Sequence, residues 1–184
     1  MGDWEIAVLN FKIFQSLNFP MKQLILVRHG KSSWDDISLS DFERPLNDRG
    51  KTDAPVMAHR LLDKKIAIDA FISSPAKRAR RTASIFAREY KQDKEDVVLK
   101  SELYGAGEEV FYEVISKAKD KWKSVAIFSH NPGLTDFANL LTDVKKDNIP
   151  TCGIFAVKAD CKKWADFREA KKEFWFFDYP KSAS

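Results

Sequence analysis

Leu24-Ile25-Leu26-Val27-Arg28-His29-Gly30 sets an unbroken apolar run directly against Arg-His-Gly. A continuous apolar run of this kind, rather than an alternating one, suits a strand covered on both faces, as in a parallel sheet. Such a strand delivers a guanidinium and an imidazole to its carboxyl end. Two further stretches repeat the design: Ala70-Phe71-Ile72 runs into Ser73-Ser74-Pro75-Ala76-Lys77-Arg78, and Val125-Ala126-Ile127-Phe128 into Ser129-His130-Asn131-Pro132-Gly133. Ligands of open α/β sheets bind outside the carboxyl ends of the strands. His29, His130, Arg28 and Arg78 are therefore expected to meet there. Two imidazoles and two guanidiniums are costly to hold together unless an anion compensates them, and a phosphoryl group fits that need.

Working outward, the pattern alternates strand and helix. A strand over about 22–28 leads to a loop rich in Ser and Asp, 32–44. A helix follows, seeded by Asn47-Asp48 with Val56, Met57, Leu61 and Leu62 on its apolar face. Pro55 inside that pattern predicts either a late start or a kink. After the strand at 69–73, Ser74-Pro75 reads as an N-cap with proline at the first helical position. That helix continues through Ala79, Ala83, Phe86 and Tyr90. A strand near 97–100, a helix with Val110, Phe111, Val114 and Ile115, the strand 124–129 and a helix to about Leu141 complete the alternation. The tail reads as an antiparallel pair, Gly153–Lys158 and Phe167–Phe177, around a turn near Asp160 to Lys163. The whole predicts a three-layer α/β/α sandwich on a mostly parallel sheet.

The chain has 184 residues, 44% hydrophobic and 32% charged, which is one ordinary globular domain. Residues 21–184 are read as that domain. Residues 1–20 are an upstream extension, mixed in polarity and without the features of a signal peptide or membrane span. A formal net charge of +4 accommodates an anionic substrate and is too small to argue for nucleic acid. Basic and aromatic residues do interleave in the tail, but Asp160, Asp166, Glu169 and Glu173 dilute them. Cys152 and Cys161 lack zinc spacing and read as buried reduced thiols in a cytoplasmic protein. His59, inside a helix with no such strand end, is structural or exposed. No metal, cofactor, nucleic-acid or membrane partner is expected, and no oligomeric state is assigned.

Several ordered motifs carry a resemblance: Arg28 to Asp35, Arg44-Pro45-Leu46-Asn47-Asp48-Arg49-Gly50, Ser73 to Ala83, Leu103-Tyr104 and Ser129 to Gly133. The chain resembles the histidine phosphatase superfamily of phosphoglycerate mutase-like fold, and within it the small SixA-like phosphohistidine phosphatases of bacteria. The resemblance implies that His29 is the nucleophile and forms a phosphohistidine. Neutral imidazole needs no separate base near pH 7. The other ring nitrogen must then hold its proton, donated to a backbone carbonyl. Arg28 and Arg78 would clamp the phosphoryl oxygens and His130 would add a donor, with Gly30, Ser32, Asp35 and Asn131 alongside the substrate.

Asp35 departs from the asparagine common in mutase-type members. A carboxylate there repels phosphate unless it is protonated or faces Arg44 or Lys31, so direct ligation is not expected of it. The long helical insertion of larger members, with its acidic proton donor, has no room in 91–107. Glu102 is the nearest carboxylate in sequence to that position, a solvated loop residue being the competing reading. An imidazole leaving group tolerates a weak acid catalyst, whereas an alkoxide needs a proton. The expected substrate is therefore a phosphohistidine protein, with a small phosphomonoester or a non-catalytic phosphate-binding role as alternatives.

Overall fold

The structure is a computed structural model that describes residues 21–182; the extension 1–20 lies outside the described residues. Six strands form one sheet in the order β3-β2-β4-β1-β5-β6. They are β1 (Met21–Arg28), β2 (Ala70–Ser73), β3 (Val98–Leu99), β4 (Ser124–Ser129), β5 (Ile154–Asp160) and β6 (Lys172–Asp178). β1, β4, β2 and β3 are mutually parallel, and β5 and β6 complete the sheet antiparallel.

The alternation of Cβ direction along each strand explains the three layers. Ile25 and Val27 of β1, Phe71 of β2 and Phe128 of β4 face one side. There they pack on α1 (Asp48–Asp63) and α2 (Lys77–Glu89) through Met57, Leu61 and Phe86. Leu24, Leu26, Ile72 and Ile127 face the other side. They meet Phe111 and Ile115 of α3 (Glu108–Ser116) and Leu134 and Phe137 of α4 (Gly133–Leu141). Both faces of the parallel strands are thus buried, which is why they read as unbroken apolar runs.

Several local expectations are revised. α1 starts at its Asn47 cap, where the side chain accepts from the Gly50 N–H at 2.9 Å, and runs through Pro55. A late start is therefore not taken. α2 begins at Lys77, with Ala76 as N-cap and no side-chain capping bond. Ser74 is not its cap, because the helix starts three residues further on; Ser74 Oγ accepts the Ala76 N–H at 3.3 Å and also bonds His130 Nε2. In the tail, β6 starts at Lys172, not Phe167. Trp164 and Phe167 are fully buried in a 3-10 turn under the sheet, and Trp164 Nε1 donates to the Trp122 carbonyl at 2.9 Å. The connection after β5 is correspondingly longer than a tight turn. Cys152 and Cys161 are free and buried, and burial pushes the Cys152 thiol up to about 12. His59 is exposed and pairs with Glu89 at 3.1 Å.

Candidate active site

β2, β4 and β1 are neighbours, and their register aligns Arg28 with Ser129 and Ser73 with Phe128. Backbone bonds just past the strand ends keep that level: the His29 N–H donates to the Ser129 carbonyl at 3.2 Å and the Ser74 N–H to Phe128 at 3.0 Å. His29 and His130 therefore meet, ring centroids 4.9 Å apart. Arg78 joins them from the first turn of α2. The cluster expected from three separated stretches of sequence is assembled at one end of the sheet.

His29 has a defined tautomer. Its Nδ1 lies 2.7 Å from the Gly30 carbonyl oxygen, which can only accept, so the proton resides on Nδ1. The Gly30 N–H donates to Thr82 Oγ1 at 3.0 Å, and Thr82 Oγ1 donates to the Arg78 carbonyl at 2.7 Å. Thr82 thereby ties the loop that orients the imidazole to the helix that carries Arg78. The lone pair left on Nε2 receives the Arg78 Nε–H at 3.2 Å. Burial, opposed by the Gly30 bond and reinforced by the charges of His130, Arg78 and Arg28, lowers the His29 pKa to about 3. The ring is neutral at physiological pH.

His130 is held by Ser74 Oγ, 2.9 Å from Nε2, and by the edge of Tyr104, centroids 5.5 Å apart. Burial and the charge of Arg78 lower its pKa to about 4. Arg28 spends one nitrogen on the Ile149 carbonyl at 2.7 Å and Asn148 Oδ1 at 3.2 Å. Two buried polar atoms here have no protein partner: Arg28 Nε and His130 Nδ1. Burial and the neighbouring Arg78 also lower the Arg28 pKa. Unpartnered buried polar atoms beside crowded positive charge call for an anion.

The remaining expected residues fall into supporting places. Ser32 Oγ accepts from Arg44 at 2.7 Å. Asn131 uses its amide nitrogen on Asn148 and Ile149, the same acceptors that hold Arg28, and its oxygen on Thr135. Asp35 is exposed and accepts from Ser33 Oγ at 2.6 Å. Among the described residues it forms no ion pair with Arg44, which pairs with Asp41 instead, or with Lys31. Glu102 is exposed, and bonds from its own amide and from Ser101 hold its carboxyl below the usual range.

The carboxylate that does enter the cluster is Asp41, on the short 3-10 turn Asp41–Glu43. Its Oδ2 accepts from Arg78 at 2.7 Å and from the Tyr104 hydroxyl at 3.0 Å, and its Oδ1 from Arg44 at 3.1 Å. Its backbone carbonyl also accepts from Arg78. Partial burial pushes its pKa up, but the bonds from Arg78 and Tyr104 and the charges of Arg78 and Arg44 hold it below the usual carboxylate range. Sequence reading missed Asp41, whose only signal was its place three residues before Arg44-Pro45. Gly133 permits the close approach of α4 to this rim, since a Cβ there would stand 1.9 Å from the Ala106 carbonyl oxygen. Among the described residues no group of His, Cys, Asp or Glu is arranged to hold a metal, and no helix is long and apolar enough to cross a membrane.

The sequence model described as histidine phosphatase superfamily (branch 1) matches residues 24–133. An uncharacterised chloroplast protein of Arabidopsis thaliana is 29% identical over 153 residues, 79% of this chain and 70% of that one. Among solved structures, the SixA protein of Agrobacterium tumefaciens superposes with a TM-score of 0.72 at 24% identity, covering 86% of this chain and 98% of that one. The protein histidine phosphatase SixA complexed with tungstate superposes at 0.70 and 22% identity, covering 86% and 97%. At these identities the likeness is one of fold: the compact sheet without a large helical insertion.

Proposed function

The chain belongs to the histidine phosphatase superfamily (branch 1), and from that membership we propose a metal-independent phosphatase that works through a phosphohistidine on His29, with protein phosphohistidine as its substrate class. His29 Nε2 attacks phosphorus along the line of the leaving bond and forms the N–P bond as the substrate's bond breaks. Arg28 and Arg78 take the equatorial oxygens, and the His130 Nδ1–H, freed when the Ser74 hydroxyl donates to Nε2, takes a third. Water then attacks the phosphohistidine, the N–P bond breaks, and inorganic phosphate leaves with His29 restored. The cations supply the charge compensation that a metal phosphatase draws from its ion.

One observation carries the choice of substrate class. Asp41, the carboxylate that enters the cluster, and the exposed Glu102 are both held below the usual carboxylate range and so are ionised at neutral pH. An ionised carboxylate cannot protonate an alkoxide, whereas the imidazole of a phosphohistidine takes a proton from solvent on its free ring nitrogen and leaves as neutral imidazole. A screen of phosphohistidine proteins, aryl phosphates and alkyl phosphates, ranked by kcat/KM, tests this reading. Phosphohistidine is expected first, aryl phosphates next and alkyl phosphates last; alkyl phosphates at the top overturn it.

A further inference from the structure

Beside the catalytic cluster, the outer face of α2 carries Lys77, Arg80 and Arg81, all exposed and recurring at the spacing of one helical face. This face is one side of a groove of about 650 Å³. Lys51 at the start of α1 and Lys94 on the approach to β3 add two more cations to its lining, against the single carboxylate Glu95. Lys51 pairs with Asp48 and Lys94 with Glu95. Among the described residues, Lys77, Arg80 and Arg81 have no ion pair. They also occupy the early turns of α2, where free backbone amides are already positive, and no acidic residue offsets them there.

The wall of the groove packs against the loop that carries His29. Leu46 in its wall stands 3.1 Å from where a Cβ on Gly30 would lie, and Arg78 shares the helix turn with Lys77. Pro45, Leu46, Val97 and Leu99 give it apolar walls, and Leu99 remains 44% exposed. No aromatic side chain lines it, so it lacks the stacking platform that single-stranded nucleic acid uses. A cationic groove with aliphatic walls complements a chain of carboxylates interrupted by apolar side chains.

We propose that this groove binds an acidic segment of the protein substrate, flanking the phosphorylated residue presented to His29. This deepens the reading of the substrate as a phosphorylated protein and rests on it. The three unpaired cations then select substrates rather than transfer phosphorus.

Two fluorescein-labelled, unphosphorylated peptides of equal length test the groove. Both carry Leu and Val; one has Asp and Glu between them, the other Asn and Gln. Anisotropy is read on the full chain and on Lys77→Gln/Arg80→Gln/Arg81→Gln. The acidic peptide should bind the wild type, lose at least tenfold in the triple variant, and weaken with added salt as screening requires. The neutral peptide should bind at least tenfold more weakly than the acidic one, and turnover of an aryl phosphate should stay within twofold in the variant. Undiminished binding to the variant, equal binding of the neutral peptide, or tighter binding of an oligothymidylate overturns the assignment. So does an aryl-phosphate loss that matches the binding loss. Because the binding arm involves no turnover, it separates failure of the groove from failure of the substrate reading.

Discussion

The Nε–H of Arg78 donates to Nε2 of His29 at 3.2 Å, while the far side of the same guanidinium is held by Asp41 Oδ2 at 2.7 Å. The lone pair that attacks phosphorus in the proposed mechanism is thus covered by the residue proposed to grip the phosphoryl group. In that mechanism Arg78 exchanges both contacts for phosphoryl oxygens as the substrate arrives. This places it at the centre of the site, unlike its exposed neighbours on α2.

Arg78→Ala is expected to cost on the order of 2–4 kcal/mol in kcat/KM toward an aryl phosphate, the range for loss of one preorganised donor. Arg78→Lys should rescue little, because an ammonium cannot reproduce a planar two-pronged contact. Arg80→Ala and Arg81→Ala should leave aryl-phosphate turnover nearly unchanged. Equal, small losses in all of these variants would show that the pocket is drawn wrongly.

Asp41 competes with any oxyanion for the guanidinium of Arg78. Asp41→Asn removes a negative charge beside the oxyanion and should tighten inhibition by inorganic phosphate or tungstate. The expected gain is about 0.5–1 kcal/mol, the scale of a half-exposed ion pair. Inhibition constants measured side by side decide it, and weaker inhibition of the variant contradicts this role.

Much of this site could be read from the chain because its parts obey one rule: a doubly buried strand ends in a polar residue at a place where ligands bind. His29 and His130 satisfy it directly, and Arg78 lies in the helical turn just beyond such an end. Asp41 does not. It sits in an aperiodic loop among Asp35, Asp36 and Glu43, and only the folding of that loop over α2 singles it out. Ser74 misled because the helix starts later than a serine before proline suggests: its hydroxyl accepts the Ala76 N–H at 3.3 Å, but the first helical residue is Lys77. Phe167 imitated a strand start because its ring is buried, but it closes the short 3-10 turn Trp164–Asp166, and β6 begins only at Lys172.

The pH dependence follows from two neutral, buried imidazoles. The pKa values of His29 and His130 are depressed to about 3 and about 4, below the unfolded value of 6.5. Protonation therefore favours the unfolded chain. The stability these groups contribute is complete above about pH 6.5 and is lost as pH falls toward 4 and 3. Urea midpoints should drop between pH 7 and pH 4.5, and His29→Asn with His130→Asn should flatten that drop. The acid limb of kcat/KM should likewise lie below the ordinary imidazole range once ionisation of the substrate phosphate is taken into account. A limb near 6.5 would refute the buried, neutral nucleophile.

Exhaustive treatment with a chelator should leave activity intact, since guanidinium and imidazole groups supply the donors to the phosphoryl oxygens. The check is turnover of an aryl phosphate before and after dialysis against the chelator, with divalent ions added back. A loss that only a divalent ion restores contradicts the proposal.

Covalent phosphorylation of His29 is what the proposed mechanism turns on. Rapid acid-free quench of the enzyme turning over labelled substrate, followed by peptide mapping, reads it directly. An acid-labile, alkali-stable label is expected on the peptide carrying His29 in the wild type, and no label in His29→Ala. Label that persists in the variant, or maps to His130 or to an alkali-labile residue, contradicts it.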